Sequence, residues 1–184
     1  MTILVRSANE HDVLHAARIS REYAASAQQR GIGIAFRAES YIAKKMTSGD
    51  AVVAFVDDEI AGFCYIETFE NKKYVSNSGL IVIPAYRQIG LAKRIKQQIF
   101  DLSRNKYPNS KIFSITTSGY VLKMNSDLGY KPVMFADLTS DDEFWANCQT
   151  CRNFDILTRN DRKLCLCTGM LYDQTNNKTN LDEE

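Results

Sequence analysis

Residues 75–99 read VSNSGLIVIPAYRQIGLAKRIKQQI, and they combine a strand, a turn and the start of a helix. The apolar run from Leu80 to Ile83 predicts a strand, which Pro84 ends because proline lacks the N–H that a sheet ladder needs. After a turn that contains Gly90, apolar residues recur at helical spacing, namely Leu91, Ile95, Ile99 and Leu102. The polar residues between them are predicted to face solvent: Lys93, Arg94, Lys96 and Gln97.

A strand that leads through a glycine turn into a helix is a generic anion-binding arrangement. The first N–H groups of a helix have no partner within the helix, and the helix dipole favours negative charge there. The turn lacks the Gly-Lys-Ser/Thr of a Walker loop and the first two glycines of a dinucleotide-binding fingerprint. The sequence therefore predicts an anion site of another kind at residues 87–92.

The composition is that of an ordinary globular protein. The chain has 184 residues, of which 45% are hydrophobic and 24% charged, and this length predicts one domain with a sizeable core. The net charge of +1 argues against nucleic-acid binding through bulk phosphate attraction. No signal-peptide pattern and no membrane-spanning apolar run is found, and five cysteines suit a reducing compartment, so we expect a cytoplasmic protein without membrane partners.

The remaining pattern alternates between strands and helices, which predicts an α/β fold. Strands are predicted at residues 3–6, 51–56, 60–68 and 111–117, and helices at 10–28, 39–46, 91–106 and 120–128. Tyr65 and Glu67 share one face of their strand because side chains alternate with a period of two.

A loop with two glycines separates Arg30 from Arg37. It has two interpretations, which the residues alone leave open. The glycines could end a helix and begin a connector. Alternatively, the loop could bind an acceptor molecule, with a guanidinium group holding a carboxylate through paired hydrogen bonds.

Four of the five cysteines lie near the C-terminal end, as Cys148-x-x-Cys151 and Cys165-x-Cys167. Four thiolates would complete a tetrahedral structural zinc site, provided that the backbone bends at the second pair, which is predicted on a strand at residues 163–172. Thiols packed in a core and redox chemistry are the alternatives. Residues 174–184 are polar and aperiodic, which predicts a disordered tail.

Three motifs resemble the GNAT acyltransferase superfamily. Residues 87–92, RQIGLA, are similar to its pyrophosphate loop, residues 80–84 resemble its fourth strand, and Leu128-Gly129-Tyr130 resembles its last conserved segment. The resemblance covers residues 1–138. It implies a mixed, mostly antiparallel central sheet that splays between strands 4 and 5, flanked by about four helices. Residues 139–173 then form a cysteine-rich extension that completes the same domain.

The resemblance also implies the chemistry. Acetyl-CoA or another acyl-CoA would be the cosubstrate, with pantetheine on the backbone of Val82 and Ile83 and with the Val82 N–H polarising the thioester carbonyl. The pyrophosphate would bind at residues 87–92: Arg87, Gln88, Ile89, Gly90, Leu91 and Ala92. Glu67 is the candidate base, with Tyr65 as second choice. Asn125 stands where many members have the tyrosine that protonates the leaving thiolate, and an amide can only donate a hydrogen bond there.

More narrowly, the chain resembles stand-alone GNAT proteins of bacterial arginine biosynthesis, which acylate glutamate with an acetyl or succinyl group. This resemblance rests on residues 30–37, 63–67 and 77–80 and on the cysteine-rich end. It implies that the small-molecule acceptor is held by Arg30, Arg37, Asn77 and Ser78. A GNAT enzyme for another amine and a non-catalytic CoA-binding module remain alternatives. The oligomeric state stays open between a monomer and a homodimer.

Overall fold

The computed structural model describes residues 1–30 and 37–174, with only the backbone of Arg30. Its seven strands are β1 (Ile3–Ser7), β2 (Ala51–Val56), β3 (Glu59–Phe69), β4 (Tyr74–Val82), β5 (Lys111–Thr116), β6 (Lys131–Val133) and β7 (Thr168–Asp173). They form one sheet in the order β1-β2-β3-β4-β5-β7-β6. The strand that the sequence predicts from Leu80 begins earlier, at Tyr74, and ends before Ile83.

The sheet is mixed and mostly antiparallel, as the resemblance implied. The pairs β1–β2, β2–β3, β5–β7 and β6–β7 are antiparallel, whereas β4 and β5 are parallel. The parallel pairing joins Tyr74–Ser76 to Lys111–Phe113, three of the nine residues of β4. The α/β prediction is therefore confirmed.

The described residues contain six α-helices, where the resemblance implied about four. They are α1 (Ala16–Arg30), α2 (Glu39–Thr47), α3 (Leu91–Lys106), α4 (Gly119–Asp127), α5 (Asp142–Ala146) and α6 (Phe154–Arg159). The two additional helices, α5 and α6, are short and lie in the cysteine-rich extension. Within the described part of the chain, no helix is long and apolar enough to cross a bilayer.

The chain divides into two compact units, and the first comprises residues 1–67 and 77–102. Its core is formed by α1, α2 and the strands β2 and β3. The largest fully buried side chains there include Ile19, Tyr23, Ile42, Met46, Phe63 and Tyr65. This unit contains the glycine turn and the residues predicted to bind the acceptor.

The second unit comprises residues 68–76 and 103–184. Its core is aromatic: Phe69, Tyr74, Phe113, Phe135, Phe144 and Trp145. The Trp145 indole donates a hydrogen bond of 2.8 Å to the Thr139 carbonyl, which satisfies the polar atom of a buried ring. Gln174, predicted as the first residue of the tail, is buried, and its amide donates to the carbonyls of Tyr107 and Ser110 at 2.9 Å each. Residues 175–184 lie outside the described residues.

Lys96 was predicted on the polar side of α3, and this prediction is wrong. Its side chain is 2% exposed, on the buried face that also carries Ile95, Ile99 and Phe100. The buried arc of α3 is wider than the Leu91-Ile95-Ile99 stripe suggests, because Phe100 extends it by one row of side chains. Burial lowers the pKa of Lys96 to about 8, and the nearby Cys64 opposes this change.

We expect Lys96→Met to stabilise the fold at neutral pH. The pKa of Lys96 is 10.5 in the unfolded chain and about 8 in the folded protein. Between pH 8 and pH 10.5 the unfolded state therefore binds more protons than the folded state, and the free energy of unfolding rises with pH. The size of this pKa shift limits the increase in the free energy of unfolding of Lys96→Met to about 3 kcal/mol. Urea unfolding at pH 7 and pH 10 measures the effect as the difference between wild type and variant.

The matched control is Lys93→Met, which removes an exposed lysine from the same helix. It should leave the pH dependence of stability unchanged. If stability depends on pH in the same way in Lys96→Met and Lys93→Met, burial of the Lys96 ammonium group does not destabilise the fold.

Candidate active site

The glycine turn before α3 adopts a shape that suits an anion. Gln88 and Gly90 have positive φ angles of 68° and 78°, and α3 begins at the next residue, Leu91. Left-handed residues in a turn direct successive N–H groups to one side and create a concave site for an anion. At Gly90 the constraint is the φ angle rather than space, because an added Cβ would meet no atom of the described residues within 4 Å. The first turn of α3 carries no acidic residue that would repel an anion.

The end of β4 leads directly into this turn. The Arg87 side chain donates from Nε to the Val82 carbonyl at 3.2 Å and so ties the turn to the strand. The Ile83 N–H already donates to the Ala61 carbonyl at 2.9 Å, and the Ile83 carbonyl accepts from the Tyr86 N–H at 2.9 Å. The Ile83 backbone is thus engaged within the protein, which reduces its value as a pantetheine partner.

A cluster of five polar side chains, the acceptor cluster, connects α2 with β3: Arg37, Tyr41, Lys45, Tyr65 and Glu67. The Tyr41 hydroxyl donates to Glu67 Oε1 at 2.6 Å, and Arg37 Nε donates to the Tyr65 hydroxyl. Lys45 Nζ donates to the Ile66 carbonyl at 2.6 Å. Both cations lie over the two tyrosine rings, with Arg37 5.8 Å from the Tyr41 centroid and Lys45 5.9 Å from that of Tyr65.

The pKa values and charges in the acceptor cluster show which side chains are neutral and which are charged. Burial raises the pKa of both tyrosines well above the usual value, and the charge of Glu67 raises them further. Tyr41 and Tyr65 therefore stay protonated near neutral pH, which opposes Tyr65 as a base. Glu67 is the one carboxylate in a cluster with two cations. The net charge of the cluster is thus positive, which favours an anionic ligand.

The backbone of β4 approaches the acceptor cluster at Gly79, whose φ angle is +64°. A Cβ at this position would lie 2.6 Å from the Tyr23 hydroxyl and closer still to the Tyr65 ring. The Tyr23 hydroxyl, on α1, donates to the Gly79 carbonyl. Only glycine allows this contact, which links α1, β3 and β4 around the cluster.

The other predicted acceptor-binding residues have different placements. Asn77 and Ser78 lie within β4, where Asn77 is buried and Ser78 is half-buried. The backbone of Arg37 is held by Ser20 of α1, whose hydroxyl donates to its carbonyl at 2.7 Å. Arg30 is the last residue of α1, and its side chain, like residues 31–36, lies outside the described residues.

Asn125 belongs to the second unit, where it lies on α4 with no exposed surface. Neither Nδ2 nor Oδ1 of its side chain has a hydrogen-bond partner among residues 1–30 and 37–174. A buried amide without partners is costly, by about 1–3 kcal/mol for each unsatisfied group, so such a group calls for a functional or solvent explanation.

The four C-terminal cysteines come from two segments of the second unit. Cys148 lies in a 3₁₀ turn, Asn147–Thr150, and Cys151 follows it. Cys165 and Cys167 were predicted on a strand, but β7 begins only at Thr168, so they occupy a bent segment before it. In residues 1–30 and 37–174, no group of three or more His, Cys, Asp or Glu side chains is arranged to hold a metal ion. The predicted zinc site is therefore not supported.

The sequence interpretation missed Tyr41 and Lys45. Tyr41 and Lys45 are spaced by four residues on the predicted second helix, so this spacing places both on one side of it, and Arg37 precedes the helix by the same interval. The signal was present, but a helix with tyrosine and lysine on one face is also an ordinary surface pattern.

Comparison with known proteins identifies the class. Residues 17–119, more than half of the chain, match the family described as Acetyltransferase (GNAT) family. The chain therefore belongs to the GNAT family, and it is an N-acetyltransferase. No curated protein sequence matches it significantly.

Solved structures share the fold at low sequence identity. N-acetylglutamate synthase from Neisseria gonorrhoeae, complexed with coenzyme A and N-acetyl-glutamate, is 16% identical over 95% of this chain with a TM-score of 0.64. This chain spans only 35% of that synthase. A Mycobacterium tuberculosis protein in complex with CoA is 15% identical over 92% of this chain and 98% of its own, with a TM-score of 0.64. The phosphinothricin acetyltransferase from Sinorhizobium meliloti, in complex with AcCoA, is 15% identical over 94% of this chain and 89% of its own, with a TM-score of 0.63.

Proposed function

We propose that this enzyme transfers an acetyl or succinyl group from acyl-CoA to the amine of a small acceptor that carries a carboxylate, with glutamate as the preferred acceptor. The observation that carries the proposal is the acceptor cluster, in which Arg37 and Lys45 accompany the candidate base Glu67. Two cations around one carboxylate suit a substrate that brings its own negative charge and one amine.

The turn before α3 is the proposed site for the donor. The N–H groups of residues 88–92 would hold the pyrophosphate, since this segment combines two positive φ angles with the N-terminus of a helix of 16 residues. The Val82 N–H would polarise the thioester carbonyl. Of the two pantetheine partners implied by the family, Val82 is the stronger, because the Ile83 N–H is already donated to Ala61.

In the proposed reaction Glu67 accepts a proton from the acceptor ammonium group, directly or through one water, and leaves a neutral amine. The amine nitrogen attacks the thioester carbonyl carbon, and the oxyanion that forms accepts a hydrogen bond from the Val82 N–H. Collapse of this intermediate forms the amide and expels the CoA thiolate. Tyr41 orients Glu67 through its 2.6 Å hydrogen bond. Asn125 is proposed, from its place in the family motif, to donate a hydrogen bond to the thiolate.

The similarity to the fold of N-acetylglutamate synthase supports glutamate as acceptor and a role in arginine biosynthesis. In this proposal Arg37 and Lys45 hold the carboxylates of glutamate, with Asn77, Ser78 and Arg30 as further partners. We further propose that the enzyme acts in the cytoplasm, as a monomer or a homodimer.

An assay of thiol release tests the proposal directly. Purified enzyme is incubated with acetyl-CoA or succinyl-CoA and a panel of amines: glutamate, aspartate, glutamine, ornithine, spermidine and a lysine peptide. We expect glutamate to give the highest kcat/KM with one of the two donors. Glutamine is the sharpest comparison, because it keeps the α-carboxylate and replaces only the second one by an amide. Preference for spermidine or the lysine peptide would overturn the acceptor assignment, and CoA binding without turnover would indicate a non-catalytic module.

A further inference from the structure

The cysteine cluster is a group of reactive side chains that the proposed reaction does not use. It consists of Cys148, Cys151, Cys165 and Cys167, all free thiols and all partly exposed. The fifth cysteine, Cys64, is fully buried in the other unit. The cluster thus combines high local thiol density with access from solvent.

The two segments of the cluster meet at the backbone of Asn153. Its N–H donates to Cys151 Sγ at 3.5 Å, and its carbonyl accepts from Cys165 Sγ at 3.8 Å. Burial raises the pKa of the Cys167 thiol, and the neighbouring Cys165 raises it further, so the two cysteines lie near each other. The bent backbone before β7 allows these two side chains to approach, since side chains two residues apart on a strand stand further from each other.

The segment that carries Cys165 and Cys167 lies at the surface. Leu164 and Leu166 alternate with the two cysteines, and they are 58% and 64% exposed. The cysteines themselves pack partly against the aromatic core. A small reagent can therefore reach this segment without unfolding of the core.

We propose that Cys165 and Cys167 form a reversible thiol–disulfide site that is oxidised by low-molecular-weight disulfides. The thiolate of one cysteine attacks a sulfur of the reagent RSSR, breaks its S–S bond and releases RS⁻. The other cysteine, after losing its proton, attacks the cysteine sulfur of this mixed disulfide and releases the second RS⁻. The two cysteines lose two electrons and two protons in total, and RSSR becomes two RSH.

This site would act at the point where the chain enters β7. Oxidation would close a small ring in the bent segment immediately before Thr168, the first residue of that strand. A disulfide requires its Cα atoms to be about 4.4–6.8 Å apart, which a bent i,i+2 pair can reach and an extended pair reaches with difficulty. The observed bend is therefore the geometry that favours this pair.

Glutathione disulfide is the probe for the test. The full chain is reduced, freed of reductant, incubated in glutathione buffers of graded redox potential, alkylated with N-ethylmaleimide and digested with trypsin. Cleavage after Lys163 and Lys178 places Cys165 and Cys167 together in one peptide, residues 164–178, apart from the other cysteines. We expect this peptide to lose two hydrogen masses and both alkylation sites in oxidising buffer and to recover them in reducing buffer.

Variants and metal analysis define the outcomes. Cys165→Ser and Cys167→Ser should each abolish the internal disulfide, whereas the matched control Cys148→Ser should retain it. Cys64 should stay reduced throughout and serves as an internal reference for the thiol count. An unchanged peptide, a disulfide joining other cysteines, or one zinc ion per chain with all four thiols protected would each overturn the proposal.

Discussion

Replacing Glu67 by Gln is expected to lower kcat by about 100-fold or more, the usual contribution of a positioned general base. The amide keeps the size of the side chain and can still accept a hydrogen bond from Tyr41, so the geometry of the acceptor cluster should survive. The loss should be largest at low pH, where the acceptor amine is protonated and needs a base. It should shrink at high pH, where the amine is already neutral. Steady-state rates across the pH range, with the best acceptor of the panel, measure this effect.

The matched control is Glu59→Gln on the same strand. Glu59 is exposed and bonds to Arg18 at 2.8 Å, away from the acceptor cluster, so the change should leave kcat and its pH dependence intact. If Glu67→Gln lowers the rate by the same factor at every pH, Glu67 positions the substrate and another group accepts the proton.

Replacing Arg37 by Gln is expected to raise KM for the acceptor by about 10- to 150-fold, with KM for acyl-CoA unchanged. A hydrogen bond between charged groups contributes about 1.5–3 kcal/mol, and loss of a carboxylate contact in the bound state weakens binding by that amount. Arg37→Lys should recover only part of the effect, because an ammonium group cannot make the paired bonds of a guanidinium group. Initial-rate kinetics with each substrate varied in turn separates the two KM values.

Arg18→Gln is the control for Arg37. Arg18 is a surface residue of α1 that bonds to Glu59, so its replacement should not change either KM. Thermal unfolding of both variants shows whether the contact between Arg37 and Tyr65 also supports the fold. Equal acceptor KM values for wild type and Arg37→Gln would contradict a role for Arg37 in binding the carboxylate.

Local patterns predicted the helix after the glycine turn and the second strand accurately. Helix α3 begins at Leu91 and ends at Lys106, as predicted for residues 91–106, and the strand predicted at residues 51–56 agrees with β2. These elements have strong start and stop signals in neighbouring residues, such as proline, glycine and polar turns. Their prediction therefore needed no knowledge of the tertiary structure.

Tertiary packing decided the features that the sequence interpretation missed. Lys96 is buried because the buried arc of α3 is wider than its apolar stripe, and a lysine in the sequence does not reveal such burial. Cys165 and Cys167 fit an apolar alternating pattern, yet the chain bends there and starts its strand at Thr168. Tyr41 joins Glu67 only through the packing of α2 against β3, which places residues distant in sequence in contact.

The position of β7 between β5 and β6 has a consequence for synthesis on the ribosome. Strand β6 pairs with β7 alone within the sheet order, although β7 follows it by 34 residues, from Val133 to Thr168. While translation proceeds, β6 has no strand to join and one edge of β5 stays open until Asp173 has left the exit tunnel. Until then the nascent chain exposes an unpaired strand edge, and such an edge favours association with other chains.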